Sequence, residues 1–494
     1  MSIAESISAG ALWLSAARWM SRATTVVGSI VLARLLSPAD YGVVAIAASV
    51  LALITGLASL PTIANLVRVE ALTRDHLDTA FTIAAIRGLL IALVVLLGSS
   101  TIAHTAGYPE LTVVLQAMAL IPLLDALQSP RMAAFDRDLD FSRKAIKEAT
   151  VAISSMAIAI TIAVTLRNYW ALVLGTIGSM FIGLVLSYWM APYRPAYSLA
   201  RFAEHFAFSG WLWMSNATRT VAMRIDGLLI GRFLDAQTTG IYVMARDIAT
   251  IPAFEAMQPI TNTLFPAFSR VARERRDNRA MALESMAVVS SFAFASSVGT
   301  ALIAPELVRV LLGAQWSAAA PLMQILLPGW ALMATMAGGR ALVQSDGLTR
   351  PLFFTDLGYS ILRVIAFGYG LYLGDIFLAV VGIAAMTLLH IVFQLVLIST
   401  TVQLHIGKVL RAIHRPVLAA LAMALAIRLL ESHLPGIASL ADASTGLVLK
   451  LAVGGATYIG VHAGLWWLEG RPEHGAEYRL GTLAQKALAR LRTR

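Results

Sequence analysis

The composition of this chain places it in a lipid environment. It has 494 residues, of which 58% are hydrophobic and 13% are charged, whereas soluble domains carry about 25% charged residues. This composition excludes a soluble globular protein, because a soluble core could not bury so much apolar surface. The lack of cysteine excludes disulfides, thiolate metal sites and cysteine nucleophiles. The net charge of +10 is attributed to basic residues that hold loops in the cytoplasm, so no nucleic-acid partner is expected.

Apolar runs of roughly 20 residues predict about fourteen transmembrane spans. The first six are expected near 11–33, 42–66, 79–103, 111–130, 145–166 and 169–191. The second six are expected near 209–232, 240–266, 281–304, 319–344, 352–373 and 376–400. The last two are expected near 409–430 and 445–468.

The pattern predicts an all-α membrane protein with two pseudo-symmetric six-helix bundles and two C-terminal helices. The predicted domains are an N-terminal bundle (1–191), a cytoplasmic linker (192–208), a C-terminal bundle (209–404), two extra transmembrane helices (405–468) and a basic cytoplasmic tail (469–494).

A short turn occurs twice, at equivalent places in the two predicted bundles. It joins the first two spans at Arg34–Gly42 and the seventh and eighth spans at Arg232–Gly240. Roughly 20 residues after each Gly a second match follows, Pro61–Asn65 in one half and Pro259–Asn262 in the other. Two matches at similar spacing indicate a duplicated unit, which is how many transporters are built.

The distribution of Lys and Arg sets the predicted orientation. With the N-terminus inside, the inside links and the tail hold 25 of the 38 basic residues, and the outside links and outer ends hold six. This bias predicts that both termini are cytoplasmic. It also places the two repeated turns at the outer surface.

Charged and polar residues within spans are candidates for a substrate site. A charge at mid-helix costs roughly 2.5–3.5 kcal/mol on insertion scales, so it is expected to face a cavity or a partner. The spans that open each repeat hold most of these residues, and a cavity between two lobes is predicted there. The candidate substrate-binding residues are Arg18, Arg22, Asn65, Arg219, Arg246, Gln258 and Asn262.

Such a cavity would be cationic, because four of its candidate residues are arginines. The planar guanidinium donates two hydrogen bonds to one phosphate, so the expected ligand is a pyrophosphate or a sugar acid. Asp226 and Glu255 lie in the same spans and are candidates for titration or ion coupling.

Structural interpretations of the same residues remain open. Arg18 and Arg22 lie within about two turns of the inner surface, where long side chains reach the lipid headgroups. Arg219 and Asp226 lie seven residues apart and could form a structural ion pair. Arg246 could lie at the depth of the membrane interface. His390 is interpreted as a packing histidine.

No pattern in the sequence indicates an enzyme. Neither H-E-x-x-H nor G-x-S-x-G occurs, and no catalytic residue, metal site or cofactor is expected. The links between spans are too short for an ATP-hydrolysing domain, and the phosphate-loop motif is absent. A proton or sodium gradient is therefore a candidate energy source.

Four segments carry a resemblance to a known family. They are Ala33 to Gly42, its counterpart Ile230 to Gly240, Leu264 to Arg270, and the tetrapeptide Gln344 to Gly347. With the span count and order, they make the chain similar to the polysaccharide-transporter branch of the multidrug/oligosaccharidyl-lipid/polysaccharide (MOP) flippase superfamily. These Wzx-type flippases include exporters of colanic-acid-like and succinoglycan-like exopolysaccharides. The resemblance covers residues 1 to about 400.

The resemblance implies a function in exopolysaccharide biosynthesis. The expected activity is to flip an undecaprenyl-pyrophosphate-linked oligosaccharide across the bacterial inner membrane by alternating access. The implied partners are that lipid-linked oligosaccharide and membrane lipids, with a polysaccharide polymerase and glycosyltransferases as candidate protein partners. The alternatives are a multidrug or metabolite antiporter of the same superfamily, a flippase for a lipid II-type peptidoglycan precursor, and a non-transporting scaffold that binds lipid-linked sugars.

Overall fold

The computed structural model describes residues 24–58, 73–137, 141–202, 220–221, 224–254, 257–258, 261, 264, 268, 278–434, 436–437 and 439–470. Every regular element among these residues is helical. The chain divides into two compact units, Met1–Ile241 and Tyr242–Arg494, which are described separately below.

The first unit contains the helices of the first six predicted spans and the end of the seventh. The described helices are α1 (Thr24–Leu35), α2 (Pro38–Ala58), α3 (Arg74–Ala106), α4 (Leu111–Ala126, interrupted at Ala119), α5 (Met132–Arg137), α6 (Phe141–Leu166), α7 (Trp170–Met190) and α8 (224–233).

The second unit contains the remaining predicted spans. The described helices are α9 (Ala236–Ala253, whose first residues belong to the first unit), α10 (Arg279–Leu302, with a π-turn at Phe294–Val298), α11 (Ala304–Leu311), α12 (Ala319–Ser345), α13 (Thr349–Tyr372), α14 (Ile376–Thr401), α15 (Ile406–Glu431) and α16 (Leu440–Leu468).

Ten of the described helices are long and apolar enough to cross a membrane, and two shorter apolar helices, α1 and α4, accompany them. Each of the fourteen predicted spans coincides with a described helix over all or part of its length, and the all-α membrane fold class is confirmed. The short helices α5 and α11 lie between predicted spans and were not expected. The predicted domain boundary at 192–208 stays a prediction.

Each helix buries one face and exposes another that is equally apolar. On α3, Ile91 and Val95 are buried in the core of the first unit, whereas Leu90, Val94 and Leu97 are more than half exposed. Exposed leucine and valine on this scale suit a lipid solvent rather than water. This part of the first unit therefore has apolar side chains both in its core and on its outer surface.

The beginning of the predicted linker is held against the first turns of α3. The Tyr193 hydroxyl donates to Asp78 Oδ1 at 2.5 Å, and the Ser198 backbone N–H donates to Thr82 Oγ1 at 2.9 Å. Burial raises the pKa of Tyr193, and the hydrogen bond to Asp78 raises it further. The Tyr193 phenol therefore stays protonated and donates a hydrogen bond to the Asp78 side chain. Arg131 Nη1 adds a bond to the Pro192 carbonyl at 2.7 Å.

Candidate functional site

The two repeated turns are built from the same capping geometry with the residue types exchanged. At the start of α2, Ser37 and Asp40 bond reciprocally: Ser37 N donates to Asp40 Oδ2 at 3.0 Å, and Asp40 N donates to Ser37 Oγ at 3.2 Å. At the start of α9, Thr238 N donates to Asp235 Oδ1 at 2.6 Å. Both arrangements satisfy backbone N–H groups that have no partner inside the helix. The repeat predicted from the sequence is therefore a repeat of local structure.

The two turns contact one another through their glycines. A Cβ on Gly42 would overlap the carbonyl of Ala236, and a Cβ on Gly240 would overlap the carbonyl of Pro38. The contact is reciprocal. Each glycine lies five residues after its own capping residue, Ser37 or Asp235, and contacts the residue that directly follows the capping residue of the other turn. No residue larger than glycine fits at either position, which explains why both turns end in glycine.

Below this contact, α2 and α8 pack antiparallel along their length. A Cβ on Gly231 would meet Ile46 Cδ1 at 2.5 Å, and one on Gly227 would meet Ser49 Oγ at 2.5 Å. Gly227 and Gly231 form a G-x-x-x-G pair, which lets two transmembrane helices approach closely. We call this interface, from Gly42–Ala236 to Ser49–Gly227, the α2–α8 seam.

Asp226 lies on α8, next to Gly227 of the α2–α8 seam, and is 2% exposed. Arg224, two residues earlier on α8, is exposed, so Arg224 and Asp226 point to different environments. An aspartate buried within a membrane helix is costly and is a functional candidate by default. The assignment of Asp226 to ion coupling stays a prediction.

Most of the predicted substrate-binding residues are not structurally described. The candidates Arg18, Arg22, Asn65, Arg219, Glu255 and Asn262 lie outside the described residues. Gln258 is described and exposed. The structure therefore leaves the predicted cationic cavity as a hypothesis.

Arg246 on α9 is paired with the adjacent carboxylate. Its Nη2 and Nε donate to Asp247 Oδ1 at 2.9 and 3.1 Å, and the Asp247 side chain is 61% exposed. A phosphate that bound Arg246 would therefore compete with Asp247 for the same donors. The two residues are adjacent in the sequence, but adjacency alone did not predict this pairing.

A partly buried polar network in the second unit joins α12, α13 and α14. Arg340 binds Asp356 with two parallel hydrogen bonds of 2.8 Å each. The imidazole of His390 lies 3.5 Å from the same carboxylate, stacks on Tyr359 and contacts Gln394 Nε2 at 2.7 Å. His390 thus packs against Tyr359, as the sequence indicated, and also adjoins the Arg340–Asp356 ion pair, which the sequence did not indicate.

A second buried network ties the two C-terminal helices to α11. Lys450 on α16 is 2% exposed, and its ammonium lies 2.7 Å from Glu306 Oε1 and 2.6 Å from Glu431 Oε1. Arg428 approaches the other oxygen of Glu431 at 3.6 Å. We call Lys450, Glu306 and Glu431 the lysine triad. Lys450 lies ten residues after the first residue of α16.

These helices define a class of membrane protein, the MOP flippase fold. The structure of the lipid II flippase MurJ in an inward closed conformation superimposes with a TM-score of 0.75, covering 92% of this chain and 99% of that chain at 11% identity. An inward-facing multidrug resistance MATE family transporter of the MOP superfamily gives a TM-score of 0.59, covering 78% and 96% at 12% identity.

The chain belongs to the polysaccharide biosynthesis protein family, whose model matches residues 31–321, more than half of its length. The predicted relationship to the polysaccharide branch of the superfamily is therefore confirmed.

Several relatives match by sequence. The lipopolysaccharide biosynthesis protein WzxC of Escherichia coli (strain K12) is 22% identical over 66% of this chain and 67% of its own. The succinoglycan biosynthesis transport protein ExoT of Rhizobium meliloti (strain 1021) is 24% identical over 87% of both chains. The teichuronic acid biosynthesis protein TuaB of Bacillus subtilis (strain 168) is 21% identical over 80% of this chain and 82% of its own.

Proposed function

We propose that this protein flips undecaprenyl-pyrophosphate-linked oligosaccharide units across the bacterial inner membrane for exopolysaccharide biosynthesis. The family match over residues 31–321 carries the proposal, because it links the chain to polysaccharide biosynthesis. The flippase fold supports transport rather than catalysis. A succinoglycan transport protein matching over 87% of the chain adds support for export of a sugar polymer precursor.

The proposed orientation places both termini in the cytoplasm. The excess of basic residues on the predicted inside supports it. In this orientation the capped turns at Ser37 and Asp235 lie at the outer surface, and the linker that begins at Pro192 lies at the inner surface.

The proposed substrate contacts are the in-span arginines and amides. Arg18, Arg22, Arg219 and Arg246 would bind the pyrophosphate and acidic sugars, because arginine donates in pairs to phosphate oxygens. Asn65, Gln258 and Asn262 would bind neutral sugar hydroxyls. Asp226 and Glu255 would couple the movement to a proton or sodium gradient, since a buried carboxylate can change its charge during transport.

Reconstitution tests the proposal directly. Purified protein in vesicles with a labelled undecaprenyl-pyrophosphate-linked oligosaccharide is expected to move the label to the opposite leaflet. Arg18→Ala and Arg219→Ala are expected to insert normally but to lose this activity, with the exposed Arg224→Ala as the matched control. Full activity in both single variants and in their double variant would refute the arginine assignment. No movement by the wild-type protein would instead support a non-transporting scaffold.

A lipid II-type peptidoglycan precursor is the second candidate substrate, favoured by the structural match to MurJ across 92% of the chain. The same vesicles loaded with labelled lipid II separate the two. An exopolysaccharide flippase is expected to move the oligosaccharide carrier faster than lipid II. A strain lacking the gene is expected to survive without its exopolysaccharide, whereas loss of an essential lipid II flippase would be lethal.

A further inference from the structure

A basic cleft opens at one end of the second unit. Its volume is about 490 Å³, and it lies where α10 and α15 begin and α14 ends. Its polar lining consists of Arg279, Ser399, Gln403, His405 and Lys408. Two of the described residues that line this cleft, Arg279 and Lys408, are basic, and none of them is acidic. We call this site the α10–α15 cleft.

The turn that joins α14 to α15 gives the cleft a fixed wall. Val402 and Leu404 are 4% and 2% exposed and belong to the core of the second unit, whereas the intervening Gln403 points outward. Gln403 has a φ of 56°, an unusual conformation for a residue with a side chain. Such conformations persist only where the surrounding packing enforces them. The alternating burial therefore anchors the polar residues of this turn.

Arg279 is oriented toward the cleft by this same turn. Its Nε donates to the Val402 carbonyl at 2.8 Å, and its Nη2 donates to Gln403 Oε1 at 3.3 Å. These bonds fix the plane of the guanidinium, so little side-chain freedom is lost when a ligand binds. Lys408, in the first turn of α15, supplies the second basic side chain of the lining.

The floor of the cleft is apolar, and its depth is that of the membrane surface. Ala280, Leu283 and Leu404 complete the lining. The three helices that meet here are long and apolar enough to span the bilayer, so their common end lies near the lipid headgroups. The cleft thus combines basic side chains at the depth of the lipid headgroups with an apolar surface that a lipid chain can contact.

We propose that the α10–α15 cleft binds the phosphate group of a membrane lipid. Arg279 and Lys408 would neutralise the phosphate, Ser399 and Gln403 would donate to its ester oxygens, and the apolar floor would cover the first carbons of the lipid. Basic pockets between transmembrane helices bind anionic headgroups in this way. None of the proposed substrate residues is among the residues that line this cleft, and the proposal does not depend on which molecule is transported. Two lipids carry the required group, an anionic phospholipid and a polyprenyl phosphate.

Native mass spectrometry of the purified full-length protein tests the proposal. The protein is titrated with phosphatidylglycerol and, in a separate arm, with undecaprenyl phosphate. The Arg279→Gln/Lys408→Gln double variant is expected to bind at least one of these lipids about tenfold or more weakly, as expected for loss of charge-assisted hydrogen bonds. The arm in which the wild type binds more tightly identifies the source of the phosphate.

Two further variants separate the cleft from general surface charge and from misfolding. Arg350→Gln/Arg411→Gln removes the same charge from exposed residues outside the lining and is expected to bind both lipids as the wild type does. Lys408→Glu leaves the Arg279 hydrogen bonds in place and is expected to lose binding as strongly as the double variant. Equal lipid binding by the wild type, the double variant and Lys408→Glu would overturn the proposal. An equal loss in the Arg350→Gln/Arg411→Gln control would overturn it as well.

Discussion

The α2–α8 seam and the lysine triad hold membrane helices together in opposite ways. In the seam, Gly42, Gly227 and Gly231 have no side chain of their own. The backbone at these glycines is therefore in direct contact with the Ala236 carbonyl at Gly42 and with the side chains of Ser49 and Ile46 at Gly227 and Gly231. In the triad, Lys450 reaches two carboxylates on neighbouring helices at 2.6–2.7 Å. An added side-chain atom is therefore expected to disrupt packing in the seam, whereas removal of one charge is expected to destabilise the triad.

This difference suits two mechanical roles. Close packing of small residues is strong at short range and vanishes over a small separation, so a seam of this kind can open and reclose. A buried ion pair in hydrocarbon cannot open without exposing its charges to a medium that does not solvate them. We therefore expect the α2–α8 seam to move during transport and the lysine triad to keep α11, α15 and α16 together throughout.

The largest expected effect comes from locking the seam. The Cβ of Ser49 and a Cβ on Gly227 would be 3.6 Å apart, within the range for a disulfide. Ser49→Cys/Gly227→Cys in this cysteine-free chain is expected to lose all transport on oxidation and to regain it on reduction. Flipping of a labelled lipid-linked oligosaccharide in vesicles measures the effect.

The matched control for this lock joins two helices that are not expected to separate. Ala366→Cys/Gly382→Cys would link α13 to α14, where the two Cβ atoms would be 3.4 Å apart. This variant is expected to transport normally when oxidised. Full activity of the oxidised Ser49→Cys/Gly227→Cys protein would show that the seam stays closed.

The next largest effect is expected from breaking the lysine triad. Lys450→Met leaves Glu306 and Glu431 without their shared cation and is expected to lower the free energy of unfolding by about 3–5 kcal/mol. The thermal unfolding midpoint in detergent reports this loss. Adding Glu306→Gln and Glu431→Gln to Lys450→Met is expected to restore most of the stability. If the triple variant is no more stable than Lys450→Met, the packing of the Lys450 stem rather than its charge is responsible.

A smaller effect is expected from one added methyl group in the seam. Gly42→Ala would force the Cβ against the Ala236 carbonyl and is expected to cost about 1–3 kcal/mol. Gly98→Ala on α3, whose Cβ would meet only Ile102 Cδ1 at 3.4 Å, is the control and is expected to be neutral or slightly stabilising. Equal midpoints for the two alanine variants would mean that the turns do not need their close contact.

The smallest effect is expected at the helix caps. Ser37→Ala removes one side of the reciprocal bonds with Asp40 and is expected to cost about 1 kcal/mol. Asp235→Ala at the equivalent position is expected to cost a similar amount, because it too leaves a backbone N–H without its acceptor. If the thermal unfolding midpoints of the two variants differ widely, the two caps contribute unequally to stability although the turns are similar in sequence.

The sequence predicted the features that local chemistry determines. Runs of apolar residues located the spans, and the paired turns at Arg34–Gly42 and Arg232–Gly240 identified the repeat, because caps and glycines act within a few residues. The observed first residue of a helix differs from the predicted one where a capping residue determines it. The second span was expected from residue 42, but α2 begins at Pro38 because Ser37 caps it.

The candidate site was less accessible to sequence reasoning. Burial of Asp226 followed from helical spacing, but pairings between distant residues did not. Lys450 and Glu306 are separated by more than a hundred residues, and nothing in either neighbourhood indicates the other. Likewise, nothing in the sequence indicated that Arg340, Asp356 and His390 lie side by side. Only the helix arrangement brings their charges together.

The reciprocal contact of Gly42 with Ala236 and Gly240 with Pro38 has a consequence for ancestry. A contact in which equivalent positions exchange partners is isologous, the geometry of a two-fold homodimer. Two copies of a single half-length chain could form both contacts with one turn sequence. The surface that now joins these turns could therefore have existed before the gene was duplicated, when it would have held two separate subunits together.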